Sequence, residues 1–260
     1  MDITSLLTFC VRNKIPISFS KYGDGEYACA NSFNGLSNSF GQHNCDRDAY
    51  TEKKKDALIE SFKYMADQTP NAYFSFWTNE ISSYWQSLAK TDVKWGKLHT
   101  LIFDNDSINE KVELYKTIKS SPLKKIYICN PLMCKAKILL DIDWMLFVPF
   151  DNWFDTLFGE LIKKLSEIIN PDEQYIIMLS AGMASKCVIC ELSKLYPNNI
   201  YLDIGSALDT ICTKRVTRDL DRTYEKVTHY LREIIPPGWD DPSYDVIYSE
   251  AASRLGMHLH

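Results

Sequence analysis

A chain of 260 residues, 45% hydrophobic and 24% charged, is long enough to bury one large core and has the composition of an ordinary globular protein. Its net charge of −5 argues against a general nucleic-acid or membrane-surface binder, so an anionic ligand would need local basic groups or a metal. No apolar run reaches the ~18 residues of a membrane span, and no charged-then-apolar leader opens the chain. Most of the eight cysteines sit inside apolar runs, as free thiols of a reducing compartment do, and a cytoplasmic location is expected. The one CxxC, Cys187-Val188-Ile189-Cys190, has no second pair at zinc spacing, and a helix there would bury it as structural thiols.

Residues 2–13 read as an amphipathic helix capped by Asp2 or Thr4. A strand over 15–22 follows, and residues 31–50, rich in Asn, Ser and Gly, read as a long loop. His43, Cys45, Asp46 and Asp48 lie in that loop at spacings that fit no metal site. A helix over 51–68 begins with Lys53-Lys54-Lys55, read as a solvated face; a strand over 72–77, a helix over 79–90 and a strand over 98–103 come next. The alternation continues with a helix at 107–119, a strand at 125–129, a helix near 132–140 and a strand at 144–148. The helix over 153–168 shows a 3.6 period in Phe154, Leu157, Phe158, Leu161, Leu165 and Ile168. Strands at 175–179 and 199–204 flank a helix at 183–195; a charged helix at about 217–234 and a Pro-rich tail from 236 close the sequence.

About seven strands separated by helices predict a single α/β domain, a Rossmann-like, mostly parallel, doubly wound sheet. Such folds bind ligands beyond the carboxyl ends of the strands. Those ends carry the polar residues here: Gly23-Asp24-Gly25-Glu26, Asp104-Asn105-Asp106, Asn130-Pro131, Asp151-Asn152, Ser180-Ala181-Gly182 and Asp203-Ile204-Gly205-Ser206.

Gly-rich dinucleotide and P-loop motifs, a GxSxG elbow and HExxH are all missing, and five histidines, two at the extreme C-terminus, leave little room for a Ser-His-Asp arrangement. What remains is acidic and basic. Asp24 and Glu26, two carboxylates on one short loop, read either as a capped turn or as ligands of a divalent cation. Ser180-Ala181-Gly182 opens a helix whose amides suit a phosphate, or serves helix packing. Arg215, Arg218 and Arg222 share one face if helical, as phosphate contacts or as a solvated face. Two carboxylates with a metal, plus arginines, on a sheet without a P-loop point toward nucleotide-sugar transfer.

The segment Phe19-Ser20-Lys21-Tyr22-Gly23-Asp24-Gly25-Glu26 resembles the Arg-Phe/Tyr-Gly-Asp-Gly-Glu signature of the GT-D glycosyltransferases, a family first catalogued as a domain of unknown function. The resemblance extends to Ile177–Gly182, Leu192 and Tyr201–Ser206, over roughly residues 15–225. Lys21 stands where that family carries arginine, and Ser206 where some bacterial members carry histidine. The resemblance implies a GT-D-like fold and a UDP-sugar donor, with a hexose (galactose or glucose favoured) passing to an oligosaccharide or glycoconjugate acceptor. It also implies Mn²⁺ or Mg²⁺ positioned by Asp24 and Glu26, directly or through water. Lys21, Tyr22, Gly23, Gly25, Ser180, Ala181, Gly182, Asp203, Gly205, Ser206, Arg215, Arg218 and Arg222 would bind the nucleotide-sugar. Asp151, with Asp104, is a candidate general base at a strand end. Rival readings are a non-catalytic nucleotide- or carbohydrate-binding module and a metal-dependent phosphohydrolase. The chain is compatible with acting alone or as one domain of a larger glycan-building polypeptide.

Overall fold

The computed structural model describes residues 2–32, 42–44, 47–97, 101–103, 106–214 and 223–241. Its strands are β1 Ile17–Tyr22, β2 Ala72–Phe76, β3 Trp95–Lys97, β4 Lys124–Cys129, β5 Trp144–Phe147, β6 Tyr175–Ser180 and β7 Ile200–Asp203. All seven join one sheet in the order β3-β2-β1-β7-β6-β4-β5, and every neighbouring pair is parallel. The helices are α1 Ile3–Asn13, α2 Asp24–Asn31, α3 Glu52–Gln68, α4 Asn79–Leu88, α5 Ile108–Ser120, α6 Ala136–Leu140, α7 Trp153–Ile168, α8 Ser185–Leu195, α9 Asp209–Thr213 and α10 Tyr224–Leu231.

The period of two along each strand sorts the core into two layers. In β6, Ile176 and Met178 join one cluster while Tyr175, Ile177 and Leu179 join the other. The first cluster takes side chains from α1, α5, α6, α9 and α10; the second takes them from α2, α3, α4, α7 and α8. With helices on both faces the central strands need apolar residues on both sides, and β1 is buried along its whole length. Side-chain caps set several helix starts: Asp2 accepts from Thr4 N at 2.9 Å, Thr51 from Lys54 N at 3.2 Å and Thr78 from Ile81 N at 3.3 Å.

Three expectations change. The third strand is Trp95–Lys97, paired to β2 with Phe74 opposite Trp95; of the expected strand over 98–103, residues 98–100 lie outside the described residues, and Leu101, Ile102 and Phe103 are buried core residues outside any strand. The Lys53–Lys55 run is solvated only in part: Lys53 is exposed, but Lys54 is fully buried and ion-paired with Asp48. The acidic segment is not a loop: Asp24 begins α2 directly after Gly23. Asp104, Arg215, Arg218 and Arg222 lie outside the described residues, as do most of the predicted tail and the centre of the 31–50 segment.

Cys10, Cys29, Cys129, Cys187, Cys190 and Cys212 are all buried and free. Burial pushes the Cys187 thiol up to about 12, so it holds almost no thiolate at neutral pH. Alkylation of the native protein followed by peptide mass mapping should leave Cys187 and Cys190 unmodified at about pH 8 until denaturant is added. Rapid native labelling of that pair would contradict their structural role. Among the described residues no helix is long and apolar enough to cross a membrane.

Candidate functional site

Three adjacent strands, β1, β7 and β6, end side by side, and each turns sharply. β1 passes through Gly23 into α2, and the Gly23 N–H donates to Glu26 Oε2 at 2.8 Å. That contact spends one Glu26 oxygen on the start of its own helix, as the N3 carboxylate of a capping box does. β6 runs into Gly182, which at φ 67° holds a conformation that side chains disfavour, and then into α8. β7 ends before Gly205, also left-handed at φ 49°, and continues into α9. Since α2 and α8 cover one face and α9 the other, the connections diverge here, and a crevice opens at the carboxyl ends.

A buried charge network holds the crevice together. Lys186, the second residue of α8 and 5% exposed, donates to Glu26 Oε1 at 2.6 Å and to Asp203 Oδ2 at 2.9 Å. The same Asp203 oxygen accepts the Lys21 backbone N–H at 3.0 Å, and Lys21 Nζ donates to the Ile204 carbonyl at 2.7 Å. A Cβ on Gly205 would lie 2.4 Å from Lys21 Nζ, so this turn needs glycine both for its φ and for the amine packed on it. Burial disfavours the Lys186 ammonium, but Asp203 and Glu26 outweigh it and raise its pKa above the usual lysine value. The strand ends of β1, β7 and β6 are thereby fixed to one another through side chains.

These residues bound a cavity of about 120 Å³ lined by Lys21, Gly23, Asp24, Gly25, Glu26, Asn44, Tyr50, Ile102, Gly182, Met183, Lys186, Asp203, Gly205 and Ser206. Its lining carries three carboxylates against two lysines, so an anion gains little by entering unaccompanied. Glu26 and Asp203 are both tied to Lys186, whereas the exposed Asp24 makes no ion pair or hydrogen bond among the described residues. Among those residues no group of three or more His, Cys, Asp or Glu side chains is arranged to hold a metal alone. One open carboxylate suits Mg²⁺ or Mn²⁺ shared with a ligand's phosphate oxygens, the way such ions commonly sit on substrates. Direct ligation by Glu26 fits poorly, because Lys186 and the Gly23 amide already face its two oxygens.

A second cavity, of about 110 Å³, adjoins the first across Gly182, Gly205 and Ser206. Asp48, Asn130, Val148, Pro149, Phe150, Ser180, Ala181 and Asp209 complete its walls. The Ser180 hydroxyl receives the Tyr127 O–H at 2.7 Å and donates to the Gly205 carbonyl, linking the β6 and β7 turns. Ala181 presents its carbonyl to Trp153 Nε1 at 3.1 Å.

Two expected site residues stand elsewhere. Tyr22 is buried in an aromatic group with Phe62 at 5.1 Å and Trp85 at 4.6 Å and does not line the crevice, so its place here is in the core. Asp151 is exposed and lines neither cavity, although its neighbour Phe150 does. Lys186 escapes a sequence reading because a lysine in a helix ordinarily snorkels to solvent. Its only signal is its place between Ser185 and Cys187 in an otherwise uncharged first turn. No family model, curated protein or solved structure significantly matches this chain.

Proposed function

We propose that this protein is a metal-dependent glycosyltransferase that moves a hexose from a UDP-sugar to a glycan acceptor. The observation that carries the reading is the division of labour in the crevice: two carboxylates fixed by Lys186, and a third, Asp24, standing open at the end of β1. The likeness of Phe19–Glu26 to the GT-D signature supports the same assignment.

In this reading Asp24 holds Mn²⁺ or Mg²⁺ together with the donor's diphosphate, and the ion when bound stabilises the charge on the departing nucleotide as a Lewis acid. Glu26 acts through its ion pair rather than as a ligand, keeping the first turn of α2 and its amides in place. The bare backbone of Gly23 and Gly25 lets the diphosphate come close to the helix start. Lys186 offsets part of the charge of Glu26 and Asp203, which lessens their repulsion of the incoming phosphates.

A panel of UDP- and GDP-sugars, assayed for nucleotide release with and without Mn²⁺ or Mg²⁺, tests the proposal. Turnover of a UDP-hexose that requires metal is the expected result. Binding without turnover under every metal would favour a nucleotide- or carbohydrate-binding module, and phosphate release from simple monoesters a phosphohydrolase.

A further inference from the structure

We infer that the second cavity, at the ends of β4, β5, β6 and β7, is a pyranoside subsite in which Asp48 accepts a sugar hydroxyl and Phe150 supplies the apolar wall. The inference rests on the transferase reading for its place in a reaction, but its chemistry comes from the cavity.

Asp48 is 3% exposed, and its Oδ1 is held by the ammonium of Lys54, itself fully buried and bonded to the Ala49 carbonyl at 2.7 Å. The other oxygen, Oδ2, is buried and among the described residues meets no donor at full hydrogen-bond geometry, the Met183 backbone N–H lying nearby. An orphaned carboxylate oxygen in a protein interior costs free energy unless a donor reaches it. Gly182 leaves room beside that oxygen: a Cβ there would lie 3.2 Å from Oδ2, and apart from Gly182's own chain neighbours no described residue other than Asp48 comes within 4 Å of that point. Both residues line the cavity. Burial raises the pKa of the Asp48 carboxyl above its ordinary value, against the opposing pull of Lys54 and of the Met183 backbone N–H.

The remaining walls narrow the class of ligand. Among the described residues the lining holds two carboxylates, Asp48 and Asp209, and no lysine or arginine, so there phosphates and carboxylates are disfavoured. Lys54 already neutralises Asp48, so a neutral donor suffices. Asn130 spends its carbonyl oxygen on the Leu132 N–H at 2.9 Å, which leaves its amide group to donate. Phe150 is 39% exposed despite its size, and with Val148 and Pro149 it supplies the large apolar part of the lining. Hydroxyl donors together with a C–H face describe a sugar ring. The cavity shares Gly182, Gly205 and Ser206 with the Asp24 crevice, so a sugar here lies next to the proposed diphosphate.

Saturation-transfer NMR on the full chain, with millimolar methyl β-glucopyranoside and methyl β-galactopyranoside as probes, tests the subsite. Transfer to ring protons in the wild type is expected, reduced at least about fivefold in Phe150→Ala and in Asp48→Asn. Where Asp48→Asn fails to fold, Phe150→Ala alone decides. Absent transfer in the wild type, or transfer unchanged in Phe150→Ala, would overturn the inference. Two arms assign the sugar. If it belongs to the donor, UDP-glucose or UDP-galactose binds at least about tenfold more tightly than UDP, and Phe150→Ala erases the difference. If it belongs to the acceptor, UDP-sugars gain nothing over UDP, and the glycosides bind alongside UDP. Glycoside binding with no affinity for UDP would sink the transferase reading and leave the subsite standing; UDP-sugar turnover without glycoside-sensitive variants would do the reverse.

Discussion

Replacing Lys186 by Met should lower the melting temperature by on the order of 10 °C, the largest loss expected from any single change at the crevice. The substitution strands two carboxylates, Glu26 and Asp203, at a site where Lys186 is their shared cation. Breaking a buried ion pair from one side typically costs about 3–5 kcal/mol, because the remaining charge keeps its desolvation penalty without its partner. The size of the loss therefore measures burial of the acids more than the worth of the lysine. Removing the acid as well separates the two: Lys186→Met combined with Glu26→Gln should be more stable than Lys186→Met alone. A double variant as unstable as the sum of the single ones would show that the pair is not coupled. The pH dependence has a definite sign. With its folded-state pKa raised above the ordinary 10.5, Lys186 contributes its full stabilisation below that value and loses it only as pH climbs through the raised one. The difference in melting temperature between the wild type and Lys186→Met should thus stay flat from about pH 6 to about pH 9 and shrink only in alkali.

Asp24→Asn should do the opposite: leave stability nearly unchanged while abolishing metal-dependent turnover of the UDP-sugar. Asp24 is exposed, makes no ion pair among the described residues and gives the fold only a favourable charge at the start of α2, worth roughly 0.3–1 kcal/mol. Among the described residues it is the one open carboxylate of the crevice, with no stand-in as anchor for a cation, and a loss of at least about 100-fold in kcat/KM is expected. Glu26→Gln is the informative contrast. It removes the charge that Lys186 neutralises and weakens the cap on Gly23, so stability and turnover should fall together. If both variants lost activity with no loss of stability, Glu26 would be a ligand in its own right and the strut role assigned to it would be wrong.

Much of this architecture is legible in the residues alone, and the exceptions have physical causes. Apolar segments such as Tyr175–Leu179 announce strands buried on both faces, and the glycines at 23, 182 and 205 mark where those strands turn. The ends of β1, β6 and β7 were therefore readable as one rim before their adjacency was known. Trp95–Lys97 is harder, because three residues are too few to show alternation, while Leu101–Phe103 is apolar enough to mimic a strand yet is buried in irregular backbone. α2 hides because Ala28, Cys29 and Ala30 are small and its acids sit in the first turn, which leaves no 3.6 period to find. Lys186 is invisible because its buried charge is defined by a partner distant in sequence, Glu26 lying 160 residues away, whereas Lys54 has its partner Asp48 close by but nothing in the run of three lysines marks which one turns inward.

Equilibrium Mn²⁺ binding followed by electron paramagnetic resonance tests, without any turnover, whether the crevice binds a cation and a nucleotide diphosphate jointly through Asp24. The protein alone should take up Mn²⁺ weakly, and adding UDP should strengthen uptake by at least about tenfold in the wild type but not in Asp24→Asn. Tight Mn²⁺ binding without UDP, or UDP enhancement that survives Asp24→Asn, would contradict joint binding through Asp24.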